Sequence, residues 1–189
     1  MVSNSKIVIL GAAESGVGAA VLAQKHNYDV FVSDLGVIKD EYKNILVAID
    51  GSQEAEWAFK KAIEIAKKNN AKLLLAHVIE SRTYAYATVE ANDQTIAEQG
   101  EILATELLEG YKKTAVQAGI TEVDFVIEFG SPRIKIPKEI AKNNNCDLII
   151  CGATGMSAVE RFLMGSVSEH ITRYAPCDVL IVRKKTEEA

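Results

Sequence analysis

The feature that most restricts the fold of this chain is a regular alternation, from residue 44 onward, of short apolar runs and helical patterns. Three mainly apolar runs, at 45–49, 72–78 and 147–151, have the length and composition of strands buried on both faces. Amphipathic helical patterns at 52–70 and 96–119 follow the first two runs. Buried strands joined by helices form a parallel twisted sheet with helices on both faces, so the sequence predicts an α/β fold.

Local signals add three expectations. Ser52 is placed to cap the first helix, and residues 123–129 alternate in the manner of a further strand. Because Pro137 lacks an N–H group and favours a first helical turn, we expect the next helix to begin near Ile136 rather than at Pro132. The face of helix 96–119 that we expect to pack on the sheet carries Ile102, Leu103, Leu107 and Tyr111.

The stretch 152–168 predicts a binding site at one end of the sheet. Gly152 and Gly155 follow a strand, and after nine more residues Gly165 and Ser166 lead into a helical pattern at Ser168. In such an arrangement backbone N–H groups and a helix N-terminus face an anion, and the serine hydroxyls add donors that reach phosphate or cap the helix. We therefore predict a nucleotide-phosphate site, the alternative being a tight strand-to-helix loop that binds nothing.

The pattern Gly152-x2-Gly155-x9-Gly165-Ser166 resembles the ATP-binding signature of the universal stress proteins. Residues 42–52, 73–80 and 174–183 resemble that family's first strand, second strand and last strand, so the resemblance covers residues 42–189. It implies a Rossmann-like fold of the adenine nucleotide alpha hydrolase type, with ATP as ligand and Mg held through the nucleotide.

The resemblance also implies roles for single residues. Asp50, at the end of the first strand, would face the nucleotide and is the candidate protein contact for Mg; the alternative is a strand-end turn or helix cap, and we favour the nucleotide contact. Val78 would offer backbone groups to the adenine edge. The phosphates would be held by Gly152, Gly155, Gly165, Ser166, Val167 and Ser168. A homodimer is implied through strand 178–183, which as a bare apolar edge would need cover.

Three functions follow from these observations: an ATP-binding stress-response or signalling module, a slow ATP hydrolase with Asp50 or Mg positioning water, or a structural chimera with inherited or lost nucleotide binding. No Walker lysine follows the glycines, so fast phosphoryl transfer is not expected. His77 and His170 lack a Ser or Cys nucleophile at suitable spacing, so we assign no catalytic residue. Arg161 is either a phosphate contact or a solvated side chain.

Residues 1–41 follow a different pattern. A strand at 6–10, a glycine-rich turn, a helix and a strand ending before Asp34 predict a β-α-β unit with the layout of a dinucleotide fingerprint. Ala13 stands where the middle glycine of that fingerprint would lie, and its Cβ would crowd a pyrophosphate. A weak second site is therefore predicted at Gly11, Ser15, Gly16 and Asp34.

This segment resembles the N-terminus of the Mur ligase that adds D-glutamate to UDP-N-acetylmuramoyl-alanine. The remaining domains of that ligase have no counterpart in the chain, so no ligase activity is expected. We predict two units, 1–41 packed on 42–189, which indicates an engineered or natural fusion. About 40 residues are too few to fold unaided, so the added parallel strands should join or flank the main sheet.

The overall composition argues against several classes of partner and location. The formal charge of −5 argues against a nucleic-acid partner, because phosphate backbones select basic surfaces. Cys146, Cys151 and Cys177 lack C-x-x-C spacing and fit small apolar positions beside strands in a reducing compartment. No apolar run approaches the length of a membrane helix, so we expect a cytoplasmic protein with no membrane partner. The irregular residues 80–95 are interpreted as a lid or a surface loop.

Overall fold

The computed structural model describes residues 6–10, 29–33, 42–80, 93–155 and 164–183. Seven strands in these ranges form one sheet with the order β1-β2-β7-β6-β3-β4-β5. They are β1 (Lys6–Leu10), β2 (Asp29–Ser33), β3 (Asn44–Ala48), β4 (Lys72–Glu80), β5 (Val123–Gly130), β6 (Leu148–Gly152) and β7 (Asp178–Val182).

The five strands β3 to β7 all run parallel to their neighbours among themselves, as the alternation of apolar runs and helices predicts. Side chains on β3 alternate between two buried clusters, with Ile45 and Val47 in one and Leu46 in the other. The sheet is therefore buried on both faces, and the expected α/β architecture is confirmed. All five carboxyl ends lie along one edge, which we call the carboxyl rim.

Helices pack on both faces of this sheet. The helical elements are α1 (Gln53–Asn69), α2 (Asp93–Gln117), α3 (Pro132–Ile134), a π-helical turn (Lys135–Ile140), α4 (Ala141–Asn143) and α5 (Ser166–Tyr174). Elements α1 and α2 supply Ala58 and Leu108 to one cluster, whereas the π-helical turn and α5 supply Ile136 and Ile171 to the other. Among the helices that the structure describes, none combines the length and apolarity that a bilayer crossing requires.

The first two strands join the sheet in an orientation that we did not expect. β1 and β2 are parallel to each other, but β2 runs antiparallel to β7, where Phe31 and Val32 pair with Leu180 and Val179. The expectation that the added strands continue the parallel sheet is therefore wrong at this junction. The expectation that strand 178–183 is a bare edge is wrong as well, because β2 pairs along it. A dimer formed through this strand would require β2 to leave it.

The buried face of α2 differs from the predicted one. Ile102 and Leu103 are 57% and 66% exposed, whereas Ala104 and Leu108 are buried against the sheet. Tyr111 packs its ring edge-on against Phe59 of α1, with ring centroids 4.7 Å apart. Leu107 also packs against the core, so the predicted face is confirmed at Leu107 and Tyr111 and wrong at Ile102 and Leu103.

The chain is helical from Pro132, four residues before the expected start at Ile136. Ser131 has extended backbone angles and precedes Pro132, which occupies the first helical position and has no N–H group to leave unpaired. Pro137 lies inside the π-helical turn, where it cannot donate to the carbonyl of Arg133. The wider turn accommodates that missing bond, so Pro137 shapes the helical segment 132–143 instead of starting it.

The Asp147 carboxylate is expected to stabilise the sheet at the edge opposite the carboxyl rim. It is almost fully buried and accepts hydrogen bonds from the backbone N–H groups of Lys43 and Asn44, at 2.9 and 3.1 Å. Replacing Asp147 with Ala should lower the free energy of unfolding by about 1–3 kcal/mol, because it leaves those donors without their acceptor. Urea unfolding would measure the change.

The matched control is Asp124→Ala, which removes a highly exposed carboxylate whose ion-pair distance to Lys112 is 3.7 Å. Such a surface change should alter the unfolding free energy by less than about 0.5 kcal/mol. Equal effects of the two substitutions would contradict the role given to Asp147.

Candidate functional site

A cavity of about 940 Å³ lies at the carboxyl rim of the sheet. Residues from β3, β4, β6, the loop after β6 and the start of α5 line it, because parallel strands bring their carboxyl ends to one edge. All eight residues predicted as nucleotide contacts line this one cavity: Asp50, Val78, Gly152, Gly155, Gly165, Ser166, Val167 and Ser168. Segments far apart in the chain thus meet where the sequence pattern placed a site.

Asp50 is held at the cavity by its own turn and by a close neighbour. Its Oδ1 accepts a hydrogen bond from the N–H of Ser52 at 2.9 Å, and the Ser52 hydroxyl in turn accepts from Ala55 N at 3.1 Å. The expected cap of α1 by Ser52 is therefore confirmed. The other carboxylate oxygen of Asp50 would lie only 2.7 Å from a Cβ built on Gly155. Gly155 is the residue type that leaves room for this carboxylate.

Gly152 is required by packing of α1 rather than by the cavity itself. A Cβ at Gly152 would approach the Cβ and carbonyl carbon of Glu54 to 2.7 and 2.9 Å. The first turn of α1 therefore crosses the end of β6 at a distance that only glycine permits. The close contact fixes the start of α1, and hence Asp50, relative to the loop after β6.

Gly165 allows two backbone segments of the loop to touch. Its N–H donates to the carbonyl of Ala153 at 2.7 Å, and a Cβ on it would lie 3.2 Å from the Cα of Thr154. Its φ of −66° is open to any residue, so the requirement is for space and not for a left-handed conformation. A larger side chain at 165 would therefore meet the loop backbone before it met a ligand.

The start of α5 presents to the cavity backbone donors that have no acceptor among the described residues. Gly165 caps the helix without a side-chain hydrogen bond, and the first intrahelical bond described here runs from Glu169 N to Gly165 O at 2.9 Å. The N–H groups of Ser166, Val167 and Ser168 precede that bond, so they belong to the helix turn that has no internal acceptors. Together with the helix dipole they favour an anion.

The two serine hydroxyls do not play equal parts. Ser168 is buried, and its Oγ donates to the carbonyl of Gly152 at 2.7 Å. That donor ties α5 to the end of β6 and is not available to a phosphate, contrary to our expectation for this hydroxyl. Ser166 is exposed at the cavity, so its hydroxyl keeps the predicted role.

His77 and Val78 form the floor of the cavity on β4. The Nδ1 of His77 lies 2.8 Å from the carbonyl oxygen of Ile49. A carbonyl only accepts, so Nδ1 donates in this contact. His77 is thus a packed and hydrogen-bonded residue.

Several lining residues were not predicted from the sequence. Leu103 and Leu107 of α2 and Ile136 of the π-helical turn supply apolar walls, and Cys151 lies beneath the loop. Arg133, in the first turn after the Gly130-Ser-Pro132 break, brings a guanidinium to the cavity. The sequence marked Leu103 only as one of the apolar residues of helix 96–119, which we expected to pack on the sheet. No pattern in the sequence indicated Arg133.

Some predicted residues lie outside the described ranges. These are the weak second site at Gly11, Ser15, Gly16 and Asp34, the candidate Arg161, and the interiors of segments 80–95 and 156–164. Within the ranges that are described, no group of three or more His, Cys, Asp or Glu side chains is arranged to hold a metal ion.

The comparisons with known proteins agree on one family. The model of the universal stress protein family matches residues 41–183. A Staphylococcus haemolyticus protein that bears this family's name is 54% identical over 147 residues, which cover 78% of this chain and 87% of the relative. Hypothetical protein MJ0577, whose biochemical function was assigned from its structure, superposes with a TM-score of 0.69 at 30% identity, covering 77% of this chain and 99% of that one.

A second solved structure bears on the cavity. A universal stress protein in complex with cAMP superposes with a TM-score of 0.58 at 27% identity. The superposition covers 76% of this chain and 98% of that one. The α/β fold observed here is therefore the fold of these proteins.

The cysteine beneath the loop should be chemically inert in the folded protein. Burial raises the pKa of Cys151 to about 12, against a smaller opposing effect of its hydrogen bond with Ser168. Burial, followed by the charge of Asp147, raises the pKa of Cys146 to about 12 as well. Because the thiolate is the reactive form, none of the 3 cysteines, all buried, should react with Ellman's reagent at pH 8 until the protein is unfolded. A rapidly reacting thiol in the native protein would contradict this geometry.

A double-mutant cycle would test the contact between Gly155 and Asp50. Gly155→Ala should lower the free energy of unfolding by about 1–3 kcal/mol, because the new Cβ overlaps the Asp50 carboxylate. In an Asp50→Ala background the same change should cost much less, since the overlapping atoms are gone. Additive effects in urea unfolding would show that the two residues do not constrain each other.

Proposed function

Because this chain belongs to the universal stress protein family, we propose that it binds an adenine nucleotide, ATP together with Mg, in the cavity at the carboxyl rim. The observation that carries the proposal is that Ser166, Val167 and Ser168, whose backbone N–H groups have no acceptor in the described part of the chain, line a cavity of nucleotide size. Backbone donors at a helix N-terminus stabilise phosphate without requiring a lysine.

Each part of the cavity suits one part of the ligand. The N–H groups at the start of α5 and the Ser166 hydroxyl would hold the phosphates. Asp50, fixed by its hydrogen bond from Ser52 N, would accept from ribose hydroxyls or contact Mg. The backbone of Val78 would meet the adenine edge, between the apolar walls formed by Leu103 and Ile136.

The metal would be held mainly by the nucleotide. Asp50 is one carboxylate, and Mg usually binds one or two carboxylates together with substrate phosphates. When bound, Mg would neutralise phosphate charge beside the carboxylates of Asp50 and Glu80, which both line the cavity. The residues present therefore fit a metal that arrives with its ligand.

The likeness to a universal stress protein in complex with cAMP supports adenine nucleotides as the ligand class. We propose a stress-response or signalling module, in which bound nucleotide changes the surface around the cavity. No step of phosphoryl transfer is assigned to any residue. The cytoplasmic location, the homodimer, the Mur-ligase likeness of residues 1–41 and the fusion remain predictions.

Binding can be tested directly. Denaturing the purified protein and analysing the released small molecules by mass spectrometry would reveal nucleotide that co-purifies, and calorimetry would measure the affinity for Mg-ATP. Gly165→Ala should weaken binding about ten-fold or more, because its Cβ presses the 153–155 backbone out of place by a few tenths of an ångström.

The matched control is Gly110→Ala in α2, where an added Cβ meets no atom within 4 Å. This variant should bind like the wild type and unfold at the same or a slightly higher denaturant concentration. A folded Gly165→Ala protein with unchanged affinity would refute the phosphate cradle. A wild-type protein that neither retains nucleotide nor binds added Mg-ATP, ADP or cAMP would refute the proposed function.

A further inference from the structure

Arg133 is the only Lys or Arg among the described residues that line the cavity. It lies in α3, is exposed at the cavity mouth, and makes no ion pair with the described carboxylates. Its neighbour Lys135 behaves differently, since its Nζ lies 2.6 Å from Glu139 and 3.4 Å from Glu128. Lys135 thus pairs with Glu128 and Glu139, whereas Arg133 lines the cavity without an ion pair to a described carboxylate.

Arg133 lies close to the helix start that supplies the unpaired N–H groups. Helix α3 packs against α5 on the same face of the sheet. Burial lowers the pKa of His170 in α5, and the charges of Lys138, Arg133 and Arg173 lower it further. The charge of Arg133 therefore reaches α5, and Arg133 lines the same cavity as Ser166 and Val167 at the start of that helix.

The charges that line the cavity favour a cation beside a polyphosphate. Its described lining carries two carboxylates, Asp50 and Glu80, against the single guanidinium of Arg133. Each added phosphate group brings negative charge towards those carboxylates, and charges of one sign in a cleft repel. A planar guanidinium binds phosphate oxygens in a bidentate manner and is the natural partner for that charge.

The backbone explains how Arg133 comes to this position. Pro137, four residues later, has no N–H to donate to the Arg133 carbonyl, and the π-helical turn begins two residues after Arg133. The preceding turn is anchored separately, because the N–H groups of Ile134 and Lys135 donate to Ser131 O at 3.0 and 2.9 Å. The first turn is therefore anchored at its start by bonds to Ser131, and Arg133, which lies in this turn, lines the cavity.

We propose that Arg133 binds the phosphate chain of the nucleotide and makes affinity increase with the number of phosphates. This inference rests on the proposed function and adds to it a residue that discriminates ATP from less phosphorylated adenine ligands. Arg133 touches the ligand and leaves the base and ribose contacts unchanged.

The test compares adenosine, AMP, ADP and ATP on the wild type, Arg133→Gln and Arg133→Lys by calorimetry, each with and without Mg. Arg133→Gln should weaken ATP binding about five- to twenty-fold, weaken ADP and AMP progressively less, and leave adenosine within about two-fold. Arg133→Lys should recover part of the ATP affinity, because it restores the charge but not the bidentate geometry. Raising the salt concentration should weaken ATP binding more in the wild type than in Arg133→Gln.

Lys142→Gln is the matched control, because it removes one exposed positive charge from the same helical segment at a residue outside the cavity lining. It should change every affinity by less than about two-fold. Equal ATP affinity in Arg133→Gln and the wild type would overturn this inference and leave the proposed function standing. Equal losses for adenosine and ATP would also overturn it, since Arg133 would then only support the fold. A wild type that binds none of the four ligands would overturn both proposals.

Discussion

The cavity depends on one close backbone contact, in which the N–H of Gly165 donates to the carbonyl of Ala153 at 2.7 Å. This bond brings the two ends of the loop after β6 together and places the first turn of α5 over the end of the strand. The buried bond from Ser168 to the Gly152 carbonyl locks the same helix from its other side. Without these two bonds the N–H groups at the start of α5 would have no fixed direction.

The three glycines of the loop are required for the same physical reason, which is that other atoms of the protein lie too close for a Cβ. Gly152 admits α1, Gly155 admits the Asp50 carboxylate, and Gly165 admits the backbone of Thr154. None of the three has a positive φ, unlike Gly51, Gly119 and Gly130 elsewhere in the described chain. The three glycines of the signature are therefore required by the close packing of the loop against the rest of the protein. This packing in turn determines the shape of the cavity.

The sequence predicts the five parallel strands because a strand buried on both faces leaves a continuous apolar run, and their bounds agree with the structure to within about two residues. The eight candidate contacts meet in one cavity because the polarity of parallel strands fixes where they end.

Three features could not be predicted. Helical periodicity did not distinguish Ala104 and Leu108 from the exposed Ile102 and Leu103. Pro137 signalled a helix start, although a π-helical turn accommodates it. The composition of a strand does not indicate its direction relative to its neighbours, so the antiparallel pairing of β2 with β7 could not be predicted.

The antiparallel junction between β2 and β7 gives the sheet two blocks of opposite polarity. The chain leaves β1 at Leu10 and β2 at Ser33 on the side where β7 begins, about 17 Å of strand length away from the carboxyl rim. The carboxyl ends of β1 and β2 therefore lie at the opposite edge of the sheet from the cavity. A ligand at the carboxyl rim would meet the carboxyl ends of β3 to β7 on the side where β1 and β2 begin.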